Sequence, residues 1–285
     1  MTKISAYSKL MRFDKPIGIF LLLWPTLWPL WLVNKGVPGL KMFLIFILGV
    51  VVMRSAGCVI NDIVDKDIDP SVERTKSRPL ANQSVSIGEA YFLLLILLSI
   101  ALTLVLQLNL SSFFWALGGL LITVIYPFCK RFFSAPQLIL GFAFSWSIPM
   151  VYVANNLALS AEAFLLWLSV GLWVVMYDTF YALVDKEDDL KIGINSTAIL
   201  FGERVGFITF LLQSFVVLLW VLIGLLYELN FIFFSSLIIV TFLFVRQQQL
   251  IRGRDPDQCL KAFLENNYVG LVVFLGVFLD LLFIK

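Results

Sequence analysis

Apolar residues fall in long uninterrupted runs, and polar residues are confined to the gaps between them. Nine runs, 17–34, 42–60, 90–108, 112–129, 136–155, 162–184, 206–226, 229–245 and 267–284, read as membrane-spanning helices, since a span needs about 20 predominantly apolar residues. Connections such as "LNLSS" and "YELN" are so short that the helices they join must be antiparallel neighbours. The longer gaps, 61–89, 185–205 and 247–266, hold most of the acidic residues. This pattern predicts an all-α membrane protein of about nine helices, one polytopic domain over 1–285 with acidic motif loops at 61–89 and 185–205.

Composition agrees with the pattern. The 285 residues are 60% hydrophobic and 14% charged, against about 25% charged in soluble domains, and the mean hydropathy is +0.95. The segment "MTKISAYSKLMRFDKPIG" has no small-residue cleavage site and runs into a full-length span, so no cleaved signal peptide is expected.

The net charge of +2 says little, but the placement of the charges is informative. With the N-terminus in the cytoplasm, seventeen of the 21 Lys and Arg fall on the cytoplasmic side; Lys35, Lys41 and Lys285 fall on the other, and Arg54 lies within a span. That asymmetry supports both the helix count and the orientation. The acids share the cytoplasmic side, apart from Glu162, Glu228 and Asp280. The rule governs only Lys and Arg, so the acids need another cause, and the cytoplasmic face is the functional one.

The chain has no histidine, which removes the usual metal ligand and the usual general base near neutral pH. Cys58, Cys129 and Cys259 are too far apart in sequence for a zinc site and read as buried bystanders. Any bound metal must take oxygen ligands, which favours Mg²⁺ or Mn²⁺.

Two acidic clusters echo each other. "IVDKDID" at 63–69 and "LVDKEDD" at 183–189 are offset by 120 residues, and each follows an apolar helix. The echo reads as a weak duplication of two helical halves. If the second helix continues inward, Asn61, Asp65 and Asp69 lie on one face, continued into the membrane by Cys58 and Arg54. Asp178, Asp185 and Asp189 share a face in the same way, while Glu187 and Asp188 point elsewhere. An isolated acidic run reads as a solvated loop. Helical spacing, a second copy, an asparagine in the set and nearby cations together favour a site. A carboxylate at the bilayer centre costs about 2.5–3.5 kcal/mol, so facing rows of them need compensation from water, basic groups or divalent cations.

Arg74, Arg78, Lys130, Arg131 and Lys191 lie on the same side as the acids. Arg suits bidentate binding of phosphate or carboxylate, and Lys binds phosphate as a point charge. Carboxylates, metal and cations together describe a diphosphate site. Arg54, inside a span, either pairs with the acids or receives an anionic substrate.

These residues resemble the UbiA superfamily of intramembrane prenyltransferases, over nearly the whole chain. "MRSAGCVINDIVDKDIDPSVERTKSRPL" carries the family's N-D-x-x-D-x-x-x-D signature and "YDTFYALVDKEDDLKIGINSTAILFG" its second aspartate motif. "MRFDKPIGIFLLLWPTLW", "YPFCKRFFSAPQ", "GFAFSWSIPM" and "NNYVGLVVFLG" match its first, middle and last helices. "DKPIG", "MRSAGCV" and "DLKIGINSTAILFG" point to its 4-hydroxybenzoate branch.

The resemblance implies a helical bundle around a central cavity capped by cytoplasmic loops, in the bacterial inner membrane. It implies Mg²⁺-dependent transfer of a polyprenyl group from its diphosphate to the ring carbon beside the hydroxyl of 4-hydroxybenzoate, in ubiquinone biosynthesis. Asn61, Asp65, Asp69, Asp185 and Asp189 would hold two Mg²⁺ ions, with Asp62 and Asp178 close by. Arg74, Arg78, Lys130, Arg131 and Lys191 would meet the diphosphate, and Arg54 or Arg131 the aromatic carboxylate. Phe128, Tyr177 and Tyr181 are candidate π faces for a developing carbocation. Lipid is the expected surrounding, and no nucleic-acid partner is expected. The rival readings are another acceptor (naphthoate, homogentisate or haem) and, from a different class, a secondary transporter, whose charges belong near the midplane.

Overall fold

The protein is represented by a computed structural model that describes residues 2–283. The end of the ninth run at 284, and Lys285, lie outside the described residues. A short surface helix α1 (Lys3–Leu10) precedes α2 (Ile17–Asn34), α3 (Leu40–Val64), α4 (Ile87–Val105) and α5 (Leu110–Cys129). Then follow α6 (Pro136–Ser145), α7 (Ser147–Ala154), α8 (Ala161–Ile192), α9 (Thr197–Phe201), α10 (Val205–Leu226), α11 (Phe231–Ile251) and α12 (Pro256–Phe283). Among the described residues there is no strand, and nine segments are long and apolar enough to cross a membrane. The nine runs read from the sequence correspond to these segments one for one.

Local chemistry sets the helix ends. Ser86 and Glu89 form a reciprocal capping box at the start of α4, and the Asn109 and Ser160 side chains cap α5 and α8. Gly193, at φ 72°, stops α8 in the left-handed conformation that a side chain disfavours.

The fifth run is not one helix. It breaks at Trp146 into α6 and α7. The Trp146 ring fills the space above Gly118 and Gly119 of α5, and its Nε1 donates to the Trp115 carbonyl at 2.7 Å.

Two apolar cores form. The larger joins α2, α7, α8, α10, α11 and α12, with Trp28 stacked on Trp173 at 5.4 Å between ring centres. The smaller joins α1, α3 and α4 through Ala6, Leu10, Val52, Ala56, Val59 and Ala90. Between them a cavity of about 1500 Å³ runs down from one end of the bundle.

The ion pairs gather at that end: Lys3 with Glu89, Arg12 with Asp62, Arg74 with Asp185, Arg246 with Glu265 and Arg254 with Glu203. At the opposite end Asn109 donates to the Val153 carbonyl at 2.6 Å, and Asp280 accepts from the Asn230 and Phe233 amides.

Candidate active site

The two acidic segments reach the cavity mouth in different conformations, despite their similar sequences. α3 ends at Val64, with Asp65 as its cap, and the chain turns through a single 3-10 turn at Asp69–Ser71. Asn61, Asp65 and Asp69 therefore do not stack on one helical face, as continuation of the helix would have required. Pro70 contributes to this, because it has no amide hydrogen for an α-helical bond. The second segment is helical throughout: α8 runs to Ile192, so 185–192 is helix rather than the start of a loop. Asp178, Asp185 and Asp189 all face the cavity from it.

The acids are held by the chain's own cations. Arg74 lies between Asp185, with Nη2 at 2.5 Å from Oδ2, and the Tyr181 ring, 4.6 Å from its guanidinium carbon. Arg78 Nη1 donates to both oxygens of Asp69 at 2.9 Å and reaches Asp62 at 3.2 Å. Lys130, the cap of α5, reaches Asn61 at 3.2 Å and Asp65 at 3.5 Å, while Asn61 donates to Asp65 at 3.1 Å. The Lys130 carbonyl accepts from the Asn195 amide at 2.9 Å, which ties α5 to the turn after α8. Burial raises the Asp69 carboxyl above its ordinary range, against the pull of Arg78. Gln137, also on the cavity wall, accepts from the Thr197 amide at 2.8 Å, and among the described residues neither Asp178 nor Asp189 forms a salt bridge.

Asp62, expected among the metal ligands, is fully buried and taken up by two guanidinium groups, Arg12 and Arg78. Arg131 and Lys191 do not line the cavity. Arg131 donates outside it to the Val64 carbonyl at 2.8 Å and lies over Phe128, which is itself exposed. Lys191 is exposed and pairs with Asp188 at 3.2 Å. Tyr177 and Tyr181 do line it.

Arg54 makes no ion pair with the acids. It lines the cavity below them, against the Phe144 ring, with a buried Nε that has no hydrogen-bond partner. Tyr177 Oη and Ser147 Oγ are also buried, unpartnered and on the cavity wall. Gly18 makes room for Arg54: a Cβ there would fall on the guanidinium.

The cavity residues that sequence reading missed include Tyr126, Gln137 and Arg12. The only signal for Arg12 was its place in "MRFDKPIG"; Tyr126 and Gln137 lay in the quoted "YPFCKRFFSAPQ".

Among the described residues no three Asp, Glu or Cys side chains stand close enough to hold a metal ion as placed. The donor set nevertheless fits a hard cation. Asn61, Asp65, Asp69, Asp185 and Asp189 offer only oxygen around one mouth, and each ion pair can exchange for another cation.

The chain matches the UbiA prenyltransferase family over residues 22–276. It is 50% identical over 277 residues to a 4-hydroxybenzoate octaprenyltransferase of Coxiella burnetii, covering 97% of this chain and 96% of that one. It is also 50% identical over 281 residues to the enzyme of that name from Yersinia enterocolitica, covering 99% and 98%. Its fold is similar to the apo structure of a UbiA homolog from Aeropyrum pernix K1, with TM-score 0.81, 25% identity, and 92% and 97% covered. It is also similar to a UbiA homolog from Archaeoglobus fulgidus bound to GPP and Mg²⁺, with TM-score 0.67, 19% identity, and 96% and 99% covered.

Proposed function

The chain belongs to the UbiA prenyltransferase family, and on that premise we propose that it transfers a polyprenyl group from polyprenyl diphosphate to 4-hydroxybenzoate. The new bond forms at the ring carbon beside the hydroxyl, and diphosphate leaves, as a step in ubiquinone biosynthesis. The protein is a multi-pass membrane enzyme; we place it in the bacterial inner membrane with the acidic mouth facing the cytoplasm.

One observation carries the reading. A single cavity has acids and cations from both motifs at its mouth, and Arg54, whose buried Nε has no hydrogen-bond partner, on its wall below. A diphosphate needs the first, and an aromatic acid needs the second.

Asn61, Asp65, Asp69, Asp185 and Asp189 would hold Mg²⁺, whose charge, when bound, offsets the charge that builds on the departing diphosphate. Arg74, Arg78 and Lys130 turn from their carboxylates to the diphosphate oxygens and hold them. Arg54 takes the acceptor carboxylate; Arg131, engaged outside the cavity, is not needed for it. Tyr126, Tyr177 and Tyr181 present π faces where the allylic carbon becomes electron-poor as its C–O bond breaks. The ring carbon attacks that centre, and Asp178, which forms no salt bridge among the described residues, takes the ring proton. Leu98, Leu102, Leu117 and Leu120 continue the cavity as an apolar wall that keeps water from the cation and receives the tail.

The test uses purified protein with Mg²⁺, a polyprenyl diphosphate and a panel of aromatic acceptors in competition. Prenylated 4-hydroxybenzoate is the expected main product. Preference for another acceptor overturns the substrate, and no prenyl transfer to any acceptor overturns the reaction.

A further inference from the structure

We propose that Arg12 is a positioning residue that holds the buried carboxylate of Asp62, so that Arg78 is free to leave it for the diphosphate. The inference rests on the reading of the site given above.

α1 delivers Arg12. Ala6 and Leu10 are buried against Val52, Ala56 and Val59 of α3, and the chain then turns at Arg12, whose φ is +62°. The turn is fixed by the Arg12 amide donating to the Lys9 carbonyl at 3.0 Å. The side chain folds back, Nη1 donating to the same carbonyl at 2.8 Å. Nη2 then reaches both oxygens of Asp62, at 2.7 and 3.0 Å.

Asp62 has no other source of solvation, being 0% exposed. Its remaining partner is Arg78, at 3.2 Å, and Arg78 also holds Asp69. The four groups form a neutral row: Arg12, Asp62, Arg78, Asp69. If Arg78 turns to a diphosphate, Asp62 loses one of two cations. A buried carboxylate left with no cation is strongly unfavourable. With Arg12 in place Asp62 keeps a charged partner, and Arg78 is released cheaply. Without Arg12, Asp62 depends on Arg78 alone and retains it.

This arrangement gives Arg12 and Asp62 opposite effects, which no purely structural role would produce. The probe is inorganic pyrophosphate in Mg²⁺ buffer, titrated by calorimetry into the purified full chain in detergent, alongside KM for the prenyl diphosphate and for the acceptor. Arg12→Gln is expected to weaken pyrophosphate binding and raise KM for the prenyl diphosphate by about tenfold or more, with KM for the acceptor within about twofold. Asp62→Asn alone should bind pyrophosphate as tightly as the wild type or tighter. The double variant Arg12→Gln, Asp62→Asn should return to within about threefold of the wild type, because the charge that retains Arg78 is gone.

Unchanged affinity in Arg12→Gln overturns the proposal. So does a double variant as weak as Arg12→Gln, which would mean that Arg12 touches the diphosphate itself. Should Arg12→Gln fail to fold, Asp62→Asn decides, and loss of pyrophosphate binding there overturns the proposal. A wild-type chain that neither binds pyrophosphate nor prenylates an acceptor overturns the underlying reading of the site. A wild-type chain that does both, with Arg12→Gln indistinguishable from it, overturns this inference alone.

Discussion

Arg74 and Asp185, 111 residues apart, are joined by a two-pronged ion pair, with Nε at 2.8 Å from Oδ1 and Nη2 at 2.5 Å from Oδ2. The pair links the two acidic segments across the cavity mouth, and the same two side chains are assigned to the metal and the diphosphate. On the proposed reading, binding is an exchange of partners among charges already gathered.

Asp65→Asn and Asp185→Asn each keep the shape of the side chain and remove its charge. Each should lower kcat/KM for prenyl transfer by about 10²–10³-fold, the scale of losing one electrostatic group at a reacting centre. Chelation of divalent metal should abolish transfer in the wild type. Full activity in either variant, by radiolabelled-acceptor assay, would break the metal assignment.

Arg54→Gln should raise KM for the aromatic acid by about 10–100-fold, the worth of a hydrogen bond to a charged group, and leave KM for the prenyl diphosphate unchanged. Gly18→Ala should move in the same direction, because its added Cβ falls on the guanidinium. Steady-state kinetics with each substrate varied in turn would separate these effects from general damage.

Arg131→Ala and Lys191→Ala should change both KM values by less than about threefold, since exposed cations paired at a surface contribute little. A tenfold loss in either would place it back in the cavity during turnover.

Gly141 lies against α8 so closely that a Cβ would come to 2.6 Å from the Gly171 carbonyl oxygen. Gly141→Val must push α6 from α8, and backbone atoms yield poorly. The expected cost is about 1–3 kcal/mol, read as a lower melting temperature in detergent with substrate KM values little altered in the surviving protein.

The spans were legible because lipid imposes its requirement on every residue of a run. That is why 162–184 could be read as a helix from composition alone. Its continuation to Ile192 was legible only in part: acidic spacing puts Asp185 and Asp189 on the helical face of Asp178, but with no apolar pattern to follow, 185–205 reads as a loop. The similar stretch after α3 turns at Asp69–Ser71, so two similar sequences take two conformations under different tertiary contacts. Among the residues that line the cavity mouth, Asp65, Asp69, Arg74, Arg78 and Asp185 were readable from type and spacing. Arg12 was hidden among four N-terminal basic residues that the charge rule already explained. Arg131 and Lys191 were over-read for the converse reason: their charge was visible, and their direction was not.

The length of α8 sets depths for the chemistry. Its 32 residues, at about 1.5 Å each, make a rod of about 48 Å, against a hydrocarbon layer of about 30 Å. Counted from Ala161, Asp178 stands about 26 Å along the rod, and Asp185 and Asp189 about 36 and 42 Å. A rod that begins at one edge of that layer carries Asp185 and Asp189 past the other edge, to the level of the headgroups, where the diphosphate of the proposed lipid-anchored donor would lie. On the proposed reading the donor's polar end is never dragged into oil, and only the small aromatic acid travels inward, toward the level of Asp178.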